Sequence, residues 1–250
     1  MACSKAVIFD YIGTLVNCKG YTMEASKDNL YSALVAEGFD VSKISFLQAY
    51  DLAHEKFRIV RYEQLKEVTN AIWVADALCN LGFKVTANDY RIKCALNVFF
   101  KSYVDTFELR EGAKKLIKRA QPQFKVGLIS NFTHAPVIHK SLRVLGINTF
   151  FNVVVVSEEN GWRKPSVKIF EDALNKLGVE AKDAVYIGDS PIEDIKGAKQ
   201  AGLKTVFVPS QFNKLKDLAE SQQKPDFIAK DLESVLNQLF EITGFSIIKK

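Results

Sequence analysis

The sequence predicts a doubly wound, Rossmann-like α/β sheet with an all-helical cap inserted after its first strand. Three observations carry that prediction. Short β-branched runs recur along the chain, most of them are followed by a helical pattern, and the interval 17–107 is helical with little strand signal. Near-continuous Val/Ile/Phe runs of four or five residues suit strands buried on both faces, as in a parallel sheet.

The first such run is 6–9, Ala-Val-Ile-Phe. After it, 26–38, 45–70, 71–82 and 88–105 carry helical periodicity. Strand runs resume at 125–129, 153–156, 184–187, 204–208 and 226–229. Between them lie 142–146, 166–178 and 194–202, each closed by Gly, as helix C-termini often are. An amphipathic segment, 231–242, closes the chain. Strand and helix alternating in this way argue for a doubly wound sheet. Residues 1–16 and 108–250 are therefore expected to form one α/β core domain, with 17–107 as a helical cap.

Composition narrows the function classes. The chain has 250 residues, 48% hydrophobic and 25% charged, which is ordinary for a globular protein. No apolar run approaches the roughly 20 residues of a membrane-spanning helix. Met1-Ala2-Cys3-Ser4-Lys5 passes straight into the first strand run, leaving no room for a secretory signal, so a cytoplasmic location is expected. Cys3, Cys18, Cys79 and Cys94 are widely spaced and read as reduced thiols rather than a zinc site or disulfide frame. The net charge of +5 is spread over Lys-x-x-Lys spacings, without the basic stripe of a nucleic-acid binder. A mildly cationic surface could help gather a small anionic substrate, but the excess is too small to identify a partner; neither nucleic acid nor membrane is expected, and the chain is expected to be a monomer or homodimer.

In open parallel sheets, ligands bind beyond the carboxyl ends of the strands. The first strand delivers Asp10, followed by Tyr11-Ile12-Gly13-Thr14-Leu15. The run 125–129 delivers Ser130 and Asn131, and the run 184–187 delivers Gly188-Asp189-Ser190 with Glu193 and Asp194 behind. Trp162-Arg163-Lys164-Pro165 opens an intervening helix. Carboxylates, hydroxyls and a lysine on one edge suit Mg²⁺ and a phosphate, because Mg²⁺ takes hard oxygen ligands and substrate phosphates.

These segments resemble the four motifs of the haloacid dehalogenase superfamily, in the branch with a helical cap. Phe9-Asp10-Tyr11-Ile12-Gly13-Thr14-Leu15 resembles the first motif and Leu128-Ile129-Ser130-Asn131 the second. Arg163-Lys164-Pro165 resembles the third, and Tyr186-Ile187-Gly188-Asp189-Ser190 with Asp194-Ile195 the fourth. The resemblance implies that Asp10 is a nucleophile forming an aspartyl intermediate. It implies that Thr14, Ser130, Asn131 and Lys164 hold the transferring group, Lys164 also offsetting charge beside Asp10. It further implies a Mg²⁺ cofactor on Asp10, Asp189, Asp194 and the backbone carbonyl of Ile12.

One position departs from the phosphatase pattern. Family phosphatases usually carry a second Asp two residues after the nucleophile as acid and base, and this chain has Ile12. Dehalogenases of the superfamily also lack that Asp, but they typically carry Ser/Asn where this chain has Gly188-Asp189. A Mg²⁺-dependent phosphatase acting on a small phosphorylated metabolite is the reading favoured here. A 2-haloacid dehalogenase is the alternative enzyme, and a catalytically weak binding or regulatory protein the alternative outside catalysis. His134 and the run His54 to Tyr62 are expected to be mainly structural or solvated, Trp73, Phe99 and Phe100 to be cap core or the interface between cap and core, and Glu193 to face solvent.

Overall fold

The computed structural model describes residues 6–20 and 22–244; residues 1–5, 21 and 245–250, and with them Cys3 and the start of the chain, lie outside the described residues. β1 (Ala6–Asp10) is the centre of the molecule. Its five residues are all buried, as a strand covered on both faces must be. The parallel sheet has the order β5-β4-β1-β6-β7-β8, built from β4 (Lys125–Ser130), β5 (Val153–Val156), β6 (Ala184–Gly188), β7 (Lys204–Phe207) and β8 (Phe227–Ile228). Phe9 pairs with Leu128 on one side and Ile187 on the other, so the ends of β1, β4 and β6 reach one edge together.

Side chains alternate across the sheet with period two. Val7 and Phe9 face a core that includes Leu116 and Ile117 of α5 (Ala113–Ala120), Ile138 of α6 (Ala135–Val144) and Leu239 of α11 (Leu232–Thr243). Ala6 and Ile8 face the other way, onto Ile169, Phe170 and Ala173 of α8 (Val167–Leu177) and Ala198 of α9 (Gly197–Gln200). That is the doubly wound arrangement the sequence predicts.

Between β1 and β4 the chain leaves along β2 (Val16–Cys18) and returns antiparallel along β3 (Phe107–Leu109), with Asn17 opposite Glu108. Four helices lie between them: α1 (Met23–Ala36), α2 (Lys43–Tyr62), α3 (Asn70–Asn80) and α4 (Tyr90–Asp105). α1 packs on α4 and α2 on α3. Cys18, Cys79 and Cys94 are free thiols, and among the described residues no helix is long and apolar enough to cross a membrane.

Several boundaries differ from the sequence reading. The helix expected over 45–70 stops at Tyr62, and Leu65 takes a left-handed φ of 56°. The segment after it turns to meet the sheet side of the molecule: Lys66 bridges antiparallel to Trp162, Arg163 N–H donates to the Leu65 carbonyl, and Glu67 N–H to that of Gly161. Those bonds are long-range, so helical periodicity within the segment gives no sign of them. The helix expected over 142–146 begins earlier, at Ala135, with Pro136 in its first turn, where a missing N–H costs nothing. The helix expected over 194–202 opens instead as a π-helical turn, Pro191–Lys196, before α9. α5, the short α7 (Ser157–Asn160), α10 (Leu215–Ser221) and the β2–β3 ribbon were not foreseen. Each is only three to eight residues long, too short for periodicity to declare itself.

Candidate active site

Asp10, at the end of β1, is 6% exposed and faces a cavity of about 580 Å³ between the sheet edge and the helices of 23–105. Lys164 Nζ donates to Asp10 Oδ1 at 2.6 Å and to Asp194 Oδ1 at 2.6 Å, and also meets Tyr186 Oη at 3.0 Å and the Ile129 carbonyl at 3.3 Å. The other oxygen, Asp10 Oδ2, is buried with no hydrogen-bond partner among the described residues. Asp10, Asp189 and Asp194 each place a carboxylate oxygen within 4.8 Å of the others.

The turn after β1 is tied down from several sides. Gly13 N–H donates to the Val16 carbonyl, and Leu15 N–H to that of Tyr11. Gly13 holds φ at 100° and runs against Asp189; a Cβ there would lie 2.5 Å from its carboxylate. Arg110 clamps the turn from behind, donating to the Gly13 carbonyl at 2.5 Å and to that of Pro209 at 2.8 Å. Asp189 is held in turn by Ser210 Oγ at 2.5 Å and Asn213 Nδ2 at 2.9 Å. Arg110, Ser210, Asn213 and Tyr186 were missed as site residues: folded loops bring the first three to the site, and Tyr186 reaches Lys164 and Asp194 from within β6.

Electrostatics follow from three buried carboxylates gathered around one lysine. Burial pushes the Asp10 carboxyl well above its ordinary range; Lys164 pulls against that, and Asp194 and Asp189 add to it. Burial likewise raises Asp189, reinforced by Asp194. Burial alone would favour a neutral amine at Lys164, but Asp10 and Asp194 outweigh it and hold the ammonium well above the usual lysine range. Lys164 therefore stays charged. A surplus of buried carboxylate, with one oxygen unpartnered, fits a divalent cation with hard oxygen ligands.

The other expected site residues divide. Thr14 is fully buried, and its hydroxyl donates to Asp189 Oδ1 at 3.3 Å rather than opening onto the cavity. Ser130 is the last residue of β4 and 1% exposed. Asn131 lines the cavity, but its amide is spent on the Lys164 peptide: Nδ2 donates to the Lys164 carbonyl and Oδ1 accepts from the Lys164 N–H. Asp194 accepts from Lys164, Tyr186 and the backbone N–H groups of Asp189 and Ser190, so both its oxygens are occupied. Ile12 lines the cavity. Tyr11 turns its side chain into the core, where its hydroxyl meets Ser141 Oγ at 2.7 Å.

Two expectations are corrected. Glu193 does not simply face solvent: it lines the cavity and accepts from Arg163 Nη2 at 2.9 Å. His54, Arg61 and Tyr62 also line the cavity, because the last turns of α2 lie over the sheet edge. Trp73, Phe99 and Phe100 form cavity wall as well as packing. His134 stays structural, stacked on Phe100 at 4.7 Å.

Comparison with known proteins accords with this geometry. Residues 4–202 match the model of the haloacid dehalogenase-like hydrolases. A glyceraldehyde 3-phosphate phosphatase of Methanothermobacter thermautotrophicus is 30% identical over 212 residues, covering 83% of this chain and 86% of the relative. One from Methanopyrus kandleri is 42% identical over 93 residues, but that match spans only 37% of this chain and 40% of the relative. In three dimensions the chain is similar to a 2-haloacid dehalogenase of Pseudomonas syringae, with a TM-score of 0.68 and 21% identity over 96% of this chain and 98% of that one.

Proposed function

The chain belongs to the haloacid dehalogenase-like hydrolases, and on that premise we propose that it is a Mg²⁺-dependent phosphatase of small phosphorylated metabolites. The observation that carries this reading is the state of Asp10: one oxygen fixed by Lys164, the other buried, unpartnered and beside a second carboxylate at the cavity. Residues 1–16 and 108–250 are the core in this proposal, and 17–107 the cap that covers it.

A carboxylate oxygen of Asp10 is the attacking atom. Its lone pair forms the bond to phosphorus while the ester P–O bond breaks and its electron pair leaves on the organic oxygen. Water then attacks phosphorus as the P–O bond to Asp10 breaks, a water proton passing through solvent to the departed organic oxygen, which releases phosphate and restores the Asp10 carboxylate. Lys164, fixed as an ammonium, offsets charge on the phosphoryl oxygens, with Ser130 at the neighbouring strand end as a further donor. Asp10, Asp189 and the Ile12 carbonyl would hold Mg²⁺, which supplies charge neutralisation for the phosphoryl group. Asp194, with both oxygens engaged, is a positioning residue that aims Lys164 and fixes the turn carrying Asp189. Thr14 positions Asp189, and Asn131 positions Lys164.

Ile12 cannot donate a proton to the departing oxygen. General acid help is worth roughly a hundred- to ten-thousand-fold, most of all when the leaving group is an alkoxide. Alkyl phosphates should therefore turn over far more slowly than aryl or acyl phosphates, and Ile12→Asp should narrow the gap. The test is phosphate release across a leaving-group series, with Mg²⁺ and with chelator, beside halide release from 2-chloropropionate. Equal rates on alkyl and aryl esters would show that another group supplies the proton. Halide release that persists in chelator, without phosphate release, would replace the phosphatase reading with the dehalogenase one.

A further inference from the structure

Among the described residues, three buried side-chain polar atoms have no hydrogen-bond partner: Asp10 Oδ2, Trp73 Nε1 and Arg163 Nη1. All three residues line the same cavity. The reaction proposed above accounts for Asp10 Oδ2. It leaves the two donors unexplained, and buried donors without an acceptor are rare because burying them is costly.

Both side chains are held in place by their neighbours. Trp73 and Arg163 are each 4% exposed. The Arg61 guanidinium lies over the Trp73 ring at 5.1 Å, and the Arg163 guanidinium over Tyr62 at 4.6 Å. Glu67, whose side chain is fully buried, accepts from Arg61 Nε at 2.8 Å and from Ser157 Oγ at 2.5 Å. Arg163 Nη1 is 3.9 Å from Glu67, beyond hydrogen-bond distance.

Charge decides what kind of acceptor suits them. Arg61 is paired with Glu67, Arg163 with Glu193, and Lys27 on the cavity wall with Asp51 at 2.5 Å. Each of these cations already has its own carboxylate. A second anionic group on the ligand would be buried here without compensation. An uncharged oxygen accepts the same hydrogen bonds and adds no charge. The rest of the wall mixes aromatic side chains, Tyr50, Phe99, Phe100 and Phe132, with polar ones such as Asn70 and Thr133, and its aromatic part suits an apolar or planar organic group.

We infer that the organic part of the substrate is apolar or planar and carries an uncharged carbonyl or hydroxyl oxygen that accepts hydrogen bonds from Arg163 and Trp73. This rests on the phosphatase reading and assigns the two residues to specificity within it. It also disfavours esters bearing a carboxylate or second phosphate at that end.

Uncleavable phosphonates isolate this contact from leaving-group effects. Calorimetric titration of the full chain with Mg²⁺ would compare benzylphosphonate with its acetyl, isopropyl and carboxylate derivatives, each as meta and para isomers. The better acetyl isomer should bind roughly five- to tenfold more tightly than its isopropyl counterpart, about one net hydrogen bond or slightly more. The carboxylates should bind least well. In Trp73→Phe, which keeps a ring and removes the N–H, and in Arg163→Lys, which keeps the charge and removes Nη1, the acetyl-to-isopropyl ratio should fall toward one. Equal binding of acetyl and isopropyl forms, tightest binding of a carboxylate, or a ratio unchanged in both variants would overturn the inference. If benzylphosphonate binds but shows no such preference, the phosphatase reading survives alone. If it does not bind and no phosphate is released from any ester, both fail.

Discussion

Asp10→Asn is expected to lower phosphate release by roughly 10⁴-fold or more, the scale on which removal of an attacking group is felt, while the protein remains folded. An amide oxygen has too little basicity to displace an alcohol from phosphorus. Stability should hold or rise, because the substitution removes one of three crowded carboxylates whose ionisation burial already resists. Activity on the best aryl ester and thermal unfolding in chelator check the two halves together. Turnover within tenfold of wild type in a folded Asp10→Asn protein would remove Asp10 from its assigned role.

Lys164→Met is expected to damage both activity and stability. The ammonium is the common partner of Asp10 and Asp194, and all three side chains are almost fully buried. Breaking a buried ion pair from one side costs about 3–5 kcal/mol, which for a chain of this size lowers the melting temperature by roughly 10 °C. The sign with pH follows from the carboxyls. Burial raises Asp10 and Asp189 in the folded state, so their contribution to stability is greatest when protonated and is lost as pH rises through their folded values. Lys164 is charged throughout the range from pH 5 to 8 and limits that loss in the wild type. Without it, the deficit measured in chelator should be large at pH 8 and shrink toward pH 5. A melting temperature equal to wild type at pH 8 would mean that the cluster is not held together by Lys164.

Much of this site could be read from the chain because its parts sit at strand ends. Asp10, Ser130 and Asp189 each follow a short apolar run, and the parallel register of β1 with β4 and β6 brings those ends together. Lys164 and Asp194 are placed by the turns that open the next helical segments. The supporting residues were hidden for a physical reason. Arg110, Ser210 and Asn213 lie in irregular segments, and their partners are about a hundred, twenty-one and twenty-four residues away. Glu67 looked like part of one long helix, yet its carboxylate joins Arg61 to Ser157 because the chain breaks at Leu65 and bridges to Trp162. Thr14 and Asn131 are hydrogen-bonding residues at the right places, but one serves Asp189 and the other the Lys164 peptide.

The most direct test of the central claim is to catch the phosphoryl group on Asp10. A good aryl phosphate is mixed with the Mg²⁺-loaded protein, the reaction is quenched in acid within the first turnovers, and the digested peptides are weighed by mass spectrometry. The expected result is one added phosphoryl group on the peptide containing Asp10, absent from Asp10→Asn and discharged when the quench is delayed past substrate exhaustion. Phosphate released in a full burst with no modified Asp10 peptide at any quench time would contradict the account.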